Sequence, residues 1–287
     1  MATLKALRRR IASVKSTQQV TRAMKLVSAA KLRRAQEALL RARPYAETLA
    51  RVAESLLAGE AALRAPAPGA RPAVLIAVIG SDRGLCGGYN ANLLRMAEEI
   101  ARQRSQAGRQ VHFIAVGRKV LDHLRRASYP REGERINNHP RLATVELASA
   151  LATQLLSQFQ LAKFEEVGVL YSQFRSALSQ RPTYEQILPV KPPAEGDQQT
   201  GLDQYLMEPG RAELVPEVLR SYVEEALFHG LLEAEASEHA ARMAAMDSAT
   251  SNASDLIDRL TLEMNRARQA SITRELMDIV GGAEALS

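Results

Sequence analysis

The stretch that offers the most obvious chemistry is a glycine-rich turn, Gly80-Ser-Asp-Arg-Gly-Leu-Cys-Gly-Gly88. It follows a continuous apolar run and precedes a helical pattern, which is where phosphate-cradling loops lie. The turn matches neither G-x-G-x-x-G nor G-x-x-x-x-G-K-[ST], and no Lys-Ser or Lys-Thr pair follows it. Two interpretations stay open: a phosphate cradle, and a tight turn whose glycines supply positive φ and close packing. The missing phosphate motifs favour the tight turn.

The remaining reactive side chains form no catalytic constellation. Cys86 could act as a nucleophile, but no His or Asn/Asp arrangement around it suggests activation, which favours a small packed residue. Gly80-Ser-Asp-Arg-Gly84 is not a hydrolase elbow, because its Ser stands one place early. Five histidines are scattered at spacings untypical of metal ligands: His112, His123, His139, His229 and His239. The sequence therefore predicts a chain that is no enzyme by itself, with no catalytic residue, cofactor or metal.

The net charge of +6 is unevenly distributed along the 287 residues. Residues 1–43 contain twelve Lys or Arg and one acidic residue, Glu37, so they carry +11 and the remainder carries −5. Such asymmetry predicts a negatively charged partner for the N-terminal segment, whether nucleic acid, a lipid surface or an acidic protein loop. The first 44 residues lack aromatic side chains for base stacking, which disfavours nucleic acid.

Composition also bears on the compartment. The single cysteine excludes an intramolecular disulfide and fits a reducing environment. The longest apolar run has about eight residues, against the roughly 20 that a membrane-spanning helix needs. The Arg-rich, acid-poor N-terminus could imitate a transit peptide, but its helical pattern continues past residue 40. We therefore expect a chain without a membrane span, a secretory signal or a transit peptide.

Glycine and proline divide the chain into three predicted segments. Residues 1–58 contain no Gly and one Pro, Pro44, whereas the middle is rich in both. Long stretches without these residues are what long helices require. The predicted segments are an N-terminal helix over 1–58, an α/β domain over 59–210 and a C-terminal helix segment over 211–287.

Apolar residues at helical spacing define the N-terminal helix. Leu4, Leu7, Ile11 and Val14 begin a stripe. After the polar run 15–19, we expect the stripe to resume with Val20, Met24, Val27 and Ala30 and to continue through Leu56. Pro44 should kink this helix or mark a short break.

A heptad pattern defines the C-terminal helix, expected as one helix over 217–281. Its members are Met243, Met246, Thr250, Ala253, Ile257, Leu260, Met264 and Ala267. The stripe then shifts by one residue and continues as Ile272, Leu276, Ile279, Ala283 and Leu286. A sustained 3.5-residue spacing predicts a left-handed coiled coil, and the N-terminal helix is the only other long one. The chain ends are thus predicted to pair as an antiparallel coiled coil.

The middle segment alternates strands and helices. Strands are predicted at 73–79, 111–116, 167–174 and, at an edge, 183–190, and helices at 90–103, 117–126 and 145–164. This alternation predicts a mostly parallel sheet. The fold class is therefore α/β: a Rossmann-like middle domain with a long antiparallel coiled coil of the terminal helices.

Four stretches resemble the gamma-subunit family of F-type ATP synthases. They are residues 11–34, Ser81-Asp-Arg-Gly-Leu-Cys-Gly-Gly-Tyr-Asn90, residues 238–250 and residues 265–283. The resemblance runs in order along the whole chain. It implies a central-stalk rotor that couples ion flow through a membrane ring to conformational cycling of catalytic beta subunits, for ATP synthesis or hydrolysis. It also implies the same fold class as the periodicity.

The resemblance implies specific partners and contacts. The partners are the alpha and beta subunits of the catalytic hexamer, an epsilon subunit and the membrane c-ring, with one copy of this chain per complex and no nucleic acid. The expected location is peripheral, on the cytoplasmic face of the bacterial inner membrane. An acidic beta loop would account for the basic N-terminal helix. Beta-subunit contacts are implied for Met24, Lys25, Arg268, Gln269, Thr273 and Glu275, and membrane-ring contacts for Tyr205 and Glu208.

Overall fold

The structure, a computed structural model, describes residues 4–57, 73–135, 143–161, 163–190, 208 and 210–284. The elements run in the order α1 (Leu4–Leu57), β1 (Ala73–Ile79), α2 (Tyr89–Gln106), β2 (Gln110–Val116), α3 (Arg118–Arg126), β3 (Arg131–Arg135), α4 (Val145–Gln160), β4 (Glu166–Phe174), β5 (Gln180–Leu188) and α5 (Arg211–Glu284). The described residues thus combine long terminal helices with an α/β middle, as predicted.

Contacts divide the chain into two compact units. One comprises the chain ends, Met1–Ser28 with Met243–Ser287, and the other comprises Ala29–Arg242. The boundaries of the three predicted segments, 1–58, 59–210 and 211–287, stay a prediction.

The second unit contains a five-stranded sheet in the order β3-β2-β1-β4-β5. Neighbouring strands are parallel except for the antiparallel pair of β4 and β5. β5 lies at an edge, as predicted. β3 was not predicted, because its sequence Arg-Glu-Gly-Glu-Arg carries no apolar residue. It forms by pairing with β2 at the other edge.

β1 is apolar throughout because both faces of the sheet are covered. All seven of its residues are buried. Ala73, Leu75, Ala77 and Ile79 join a core cluster with α4, α5 and the end of α1, and the alternate residues Val74, Ile76 and Val78 join a second cluster with α2 and α3. A parallel strand covered on both sides loses the alternation of a half-exposed one.

The terminal helices pair antiparallel within each unit. In the unit of the chain ends, Thr21 lies opposite Thr250, and Lys25, one turn later, lies opposite Asp247. In the other unit, Arg211 Nη2 at the start of α5 donates to Leu56 O near the end of α1, at 3.0 Å. Rising numbers on one helix therefore meet falling numbers on the other, as predicted.

Two details of the predicted helices need correction. α1 continues through Pro44, so a break there is wrong, and Thr48 Oγ1 donates to Pro44 O at 2.9 Å. α5 begins at Arg211, six residues before the expected start, so that Pro216 lies inside the helix.

The predicted apolar stripe of α1 is wrong between residues 20 and 30. Val20 and Val27 are 55% and 58% exposed, and Ala30 is exposed as well. The buried positions are Thr21 and Ser28, which keep the 3-4 spacing of Leu7, Ile11 and Val14. The helix keeps one phase, and the paired side is polar here because a regular helix cannot shift its buried side to follow the valines.

Candidate functional site

The glycine-rich turn is closed by its own polar groups. Ser81 Oγ donates to Arg83 O at 2.7 Å, and Asn90 Nδ2 donates to Ser81 Oγ at 2.8 Å. Gly87 has φ 55°, and a Cβ on Gly80 would lie 2.4 Å from a side-chain carbon of α3. The glycines serve positive φ and close packing, which confirms the tight-turn interpretation.

Cys86 is a packed residue of this turn. It is buried in a small cluster with Tyr89 and Ala241 of α5. Burial raises the pKa of the Cys86 thiol above its ordinary value, against smaller lowering effects of Ser81 and Arg242. A thiol held in its protonated form is a poor nucleophile, so the position favours packing over covalent chemistry.

The carboxyl ends of β1 and β4 lie where a doubly wound sheet reverses its strand order, and such sheets bind ligands there. In this chain α5 occupies that position. Ser237 Oγ donates to Ser172 O at 2.7 Å, and Glu233 Oε2 accepts from Phe174 N at 2.6 Å. Side chains of α5 thus satisfy strand-end groups that a ligand would otherwise meet.

Within the unit of the chain ends, the paired sides of α1 and α5 include a polar layer. Thr21 Oγ1 and Thr250 Oγ1 are 2.8 Å apart, and Thr250 Oγ1 also donates to Met246 O. Lys25 Nζ lies 2.6 Å from Asp247 Oδ1. Polar residues at the paired positions of a coiled coil fix its register, because only one alignment satisfies them.

An apolar stripe on α1 faces away from this pairing. With about 100° of turn per residue, Val20, Met24 and Val27 fall within about 60° of one another and roughly 100° from Thr21. Both valines are more than half exposed. We name Val20, Met24 and Val27 the α1 outer stripe.

A second exposed stripe lies near the end of α5. Ile272, Leu276 and Ile279 are 49%, 57% and 68% exposed and fall within about 60° around the helix. We name these three residues the α5 outer stripe. The sequence placed them in the coiled-coil seam, and their exposure contradicts that expectation for the described chain. Within the described residues α1 begins only at Leu4, and no other described element covers them.

The beta-contact residues implied by the resemblance lie around these stripes. Met24 belongs to the α1 outer stripe, and Lys25 is half-buried beside it. Four residues of α5 are exposed and flank its outer stripe, Arg268 and Glu275 on one side, Gln269 and Thr273 on the other. All four therefore lie on the same half of α5 as its outer stripe.

The resemblance also implies two residues in contact with the membrane ring, Tyr205 and Glu208. Glu208 is exposed. Tyr205 lies outside the described residues.

Sequence reasoning missed the polar residues that hold α5 to its neighbours, among them Asp247, Glu233 and Ser237. Ser237 belongs to a run of small residues at helical spacing, Gly230, Ala234, Ser237 and Ala241. This spacing signals close approach of a helix to another element. The acids gave no signal, since an acidic residue on a helix is ordinarily solvated.

Two further findings concern metal sites and membrane-spanning helices. In the described ranges, no three His, Cys, Asp or Glu side chains are grouped so that they could hold a metal ion. No helix among those residues is both long enough and apolar enough to cross a membrane.

The chain thus has two long antiparallel terminal helices and, between them in sequence, a mostly parallel α/β domain. The family model described as ATP synthase matches residues 3–286. The chain is 44% identical over 288 residues to the ATP synthase gamma chain of Pelotomaculum thermopropionicum, and 46% identical over 296 residues to that of Erythrobacter litoralis, with 100% of both chains covered in each case.

Solved structures show the same fold. A chain of the Euglena gracilis mitochondrial ATP synthase, from a structure of OSCP, F1 and the c-ring, matches with a TM-score of 0.71 and 20% identity over 99% of this chain and 94% of that one. The chain therefore belongs to the ATP synthase gamma chain family. As a gamma chain it is a subunit of the ATP synthase complex.

Proposed function

We propose that this gamma chain is a non-catalytic rotor whose two outer stripes contact the catalytic beta subunits of an alpha–beta hexamer. The single observation that carries the proposal is the α5 outer stripe: three large apolar side chains exposed on one side of a helix and flanked by polar residues. Contiguous exposed apolar surface with a polar rim is typical of protein-binding sites.

Charge supports the second contact. Residues 1–43 carry +11, and Lys25 is the only one of their basic side chains that the described structure pairs with α5 through a salt bridge. The basic surface around the α1 outer stripe therefore fits an acidic loop of a beta subunit.

The two stripes suggest how a chain without catalytic groups could drive a reaction. They lie on different helices and differ in charge, so each catalytic subunit around the pair would meet a different surface. A rotor of this kind acts by stabilising one conformation of a neighbour over another. In this proposal bond chemistry belongs to the hexamer, and rotation changes which subunit is open.

The remaining contacts complete the proposal. Tyr205 and Glu208 meet the membrane c-ring, the α/β domain also binds an epsilon subunit, and each complex contains one copy of this chain. The complex lies at the cytoplasmic face of the bacterial inner membrane, with the gamma chain peripheral to it. These assignments rest on the family and on the exposed position of Glu208.

Replacing the α5 outer stripe tests the proposal. In a triple variant, Ile272→Gln, Leu276→Gln and Ile279→Gln, each position loses about 1 kcal/mol of apolar burial on partner binding. The sum, about 3 kcal/mol, predicts roughly a 100-fold loss of affinity for the hexamer. Leu178→Gln is the matched control, because Leu178 is 88% exposed on the turn between β4 and β5.

Reconstitution of ATP-hydrolysing complex from purified subunits, over a range of gamma-chain concentrations, measures the affinity. The triple variant should need far more gamma chain for half-maximal reconstitution, and Leu178→Gln should behave as the wild type. A triple variant that reconstitutes like the control would refute the contact.

A further inference from the structure

β4 extends beyond its neighbour β1 at the carboxyl end of the sheet. The last residue pair between the two strands is Val78 with Leu170, whereas β4 continues to Phe174. Residues 171–174 keep β5 on one side and have no strand on the other. Backbone groups on that open side need other partners, because buried amides and carbonyls are costly when unpaired.

Two side chains of α5 supply those partners. Ser237 donates to the carbonyl of Ser172, and Glu233 accepts from the amide of Phe174, two residues further on. Groups of residues i and i+2 point to the same side of a strand, so both bonds lie on the open side. We name Glu233 and Ser237, with the two backbone groups they bind, the β4 latch.

Close packing around the latch restricts movement of α5 relative to β4. Ala234 and Ser237 are fully buried. Tyr89 OH at the start of α2 donates to Ala234 O, at 3.3 Å. A Cβ on Gly230 would lie 3.3 Å from Tyr171 of β4, so no larger side chain fits there without movement.

Burying the carboxylate of Glu233 at this position costs solvation free energy. Its residue is 5% exposed, and its hydrogen-bond donor is an uncharged amide. The ring nitrogen His229 Nε2 is 3.7 Å from its other oxygen. Burying a charge in this way stabilises a fold less than an apolar residue of similar size would, which points to a role in positioning.

We propose that the β4 latch fixes the α/β domain to α5 during rotation, so that part of the torque passes between them through these two hydrogen bonds. Glu224, Glu235 and Arg242 of α5 add hydrogen bonds to other parts of the domain, but none of them holds a strand end. Glu233 and Ser237 are then positioning residues for coupling. The inference rests on the proposed rotor function. A domain held only by apolar contacts could slide along the helix surface under load, whereas directed hydrogen bonds to one strand end resist sliding.

The test uses the complete ATP synthase in inverted membrane vesicles, with Glu233→Ala, Ser237→Ala and the double variant. Glu233→Gln retains an acceptor oxygen and should rescue the function. Glu217→Ala is the matched control, an exposed glutamate on the same helix. Three quantities are measured per assembled complex: ATP hydrolysis, ATP-driven ion uptake, and amide hydrogen exchange of the peptide that contains Phe174.

Losing one buried hydrogen bond lowers the ratio of closed to open latch by about tenfold, so exchange at Phe174 should accelerate by about tenfold in Glu233→Ala. Ion uptake per ATP hydrolysed should fall in both single variants and further in the double variant. Hydrolysis itself should stay within about twofold, because the proposed function assigns the bond chemistry to the hexamer. Glu233→Gln and Glu217→Ala should match the wild type.

An unchanged ratio of ion uptake to hydrolysis in the double variant would overturn the inference, even if exchange accelerates. A parallel fall of both activities would overturn it too, since it indicates a merely structural role. If Glu233→Ala fails to assemble, Ser237→Ala, which removes one oxygen atom, decides by the same ratio. Failure of the rotor proposal is distinguishable, because a complex assembled without the gamma chain would then still take up ions when it hydrolyses ATP.

Discussion

Variants of Lys25 can separate its contribution to the coiled coil from its contribution to partner binding. Asp247, its partner in the only described ion pair, provides the control. Lys25→Gln and Asp247→Asn both remove the bridge between Lys25 Nζ and Asp247 Oδ1, from opposite helices and with little change of shape. If Lys25 acts through Asp247 alone, the two variants must behave alike. If Lys25 faces an acidic partner, they must differ.

The structural share of the effect is small. The side chains are 40% and 60% exposed, so the pair belongs to the surface class, which contributes about 0.2–1 kcal/mol. Either variant should therefore lower the free energy of unfolding by 1 kcal/mol or less, by about the same amount. A larger effect of Lys25→Gln on complex formation needs another origin than the coiled coil.

The assay is the rate at which purified gamma chain and hexamer form an ATP-hydrolysing complex, measured over a series of salt concentrations. Charges at the rim of an interface act mainly on the association rate and on its salt dependence. Lys25→Gln should slow association severalfold at low salt and flatten the salt dependence. Asp247→Asn frees the ammonium and should leave the rate unchanged or raise it. Equal rates for both variants would refute a contact between Lys25 and an acidic partner.

Two predictions concern stability, measured by urea unfolding of the purified chain. Glu166→Ala should cost about 3 kcal/mol, because the buried carboxylate accepts from Arg104 at 2.5 Å, Tyr184 at 2.7 Å and Arg109 at 3.0 Å. Arg109 keeps its ion pair with Glu165 in that variant. Glu166→Gln should cost less, and equal costs would contradict the ionic assignment. The pKa of His239 is lowered from an ordinary 6.5 to about 4, mainly by burial and further by the charges of Arg242 and Lys31. As pH falls from 6.5 to 4, the imidazole therefore takes up a proton in the unfolded chain before it does so in the folded one. His239 thus lowers the free energy of unfolding across this window. The difference between wild type and His239→Gln should change by roughly 3 kcal/mol across that window. A difference in unfolding free energy that does not change with pH would refute this prediction. Burial raises the pKa of Glu225 to about 7, which has the opposite effect on stability, but that effect is common to both proteins and cancels in the difference.

The sheet was largely predictable because its strands carry their own signal. The run from Ala73 to Ile79 has no polar residue, and the strand bounds agree with the structure. β3 was not predicted because this edge strand forms by backbone pairing with β2, and its charged side chains show no strand pattern. Periodicity thus finds buried strands and misses edge strands.

The candidate contact residues were predictable only through the family. Arg268, Gln269, Thr273 and Glu275 look like any solvated helix surface, and periodicity assigned Ile272 and Leu276 to the seam. A helix that pairs with one neighbour and meets another along the same length shows apolar residues on more than one side. The apolar pattern indicates that Ile272 and Leu276 contact a partner, but it does not indicate which partner.

α1 shows how one helix can serve both purposes where its sequence conflicts with simple apolar patterning. Between residues 20 and 28 three of the apolar residues, Val20, Met24 and Val27, form the outer stripe, and the polar Thr21 and Ser28 lie on the paired side. An apolar paired side would stabilise the coiled coil but leave its register free to slip by a heptad. The layer of Thr21 with Thr250 gives up some of that stability and fixes one register. Fixed register matters for a rotor, because the outer stripes of α1 and α5 can meet their partners together only if the two helices cannot slide along each other.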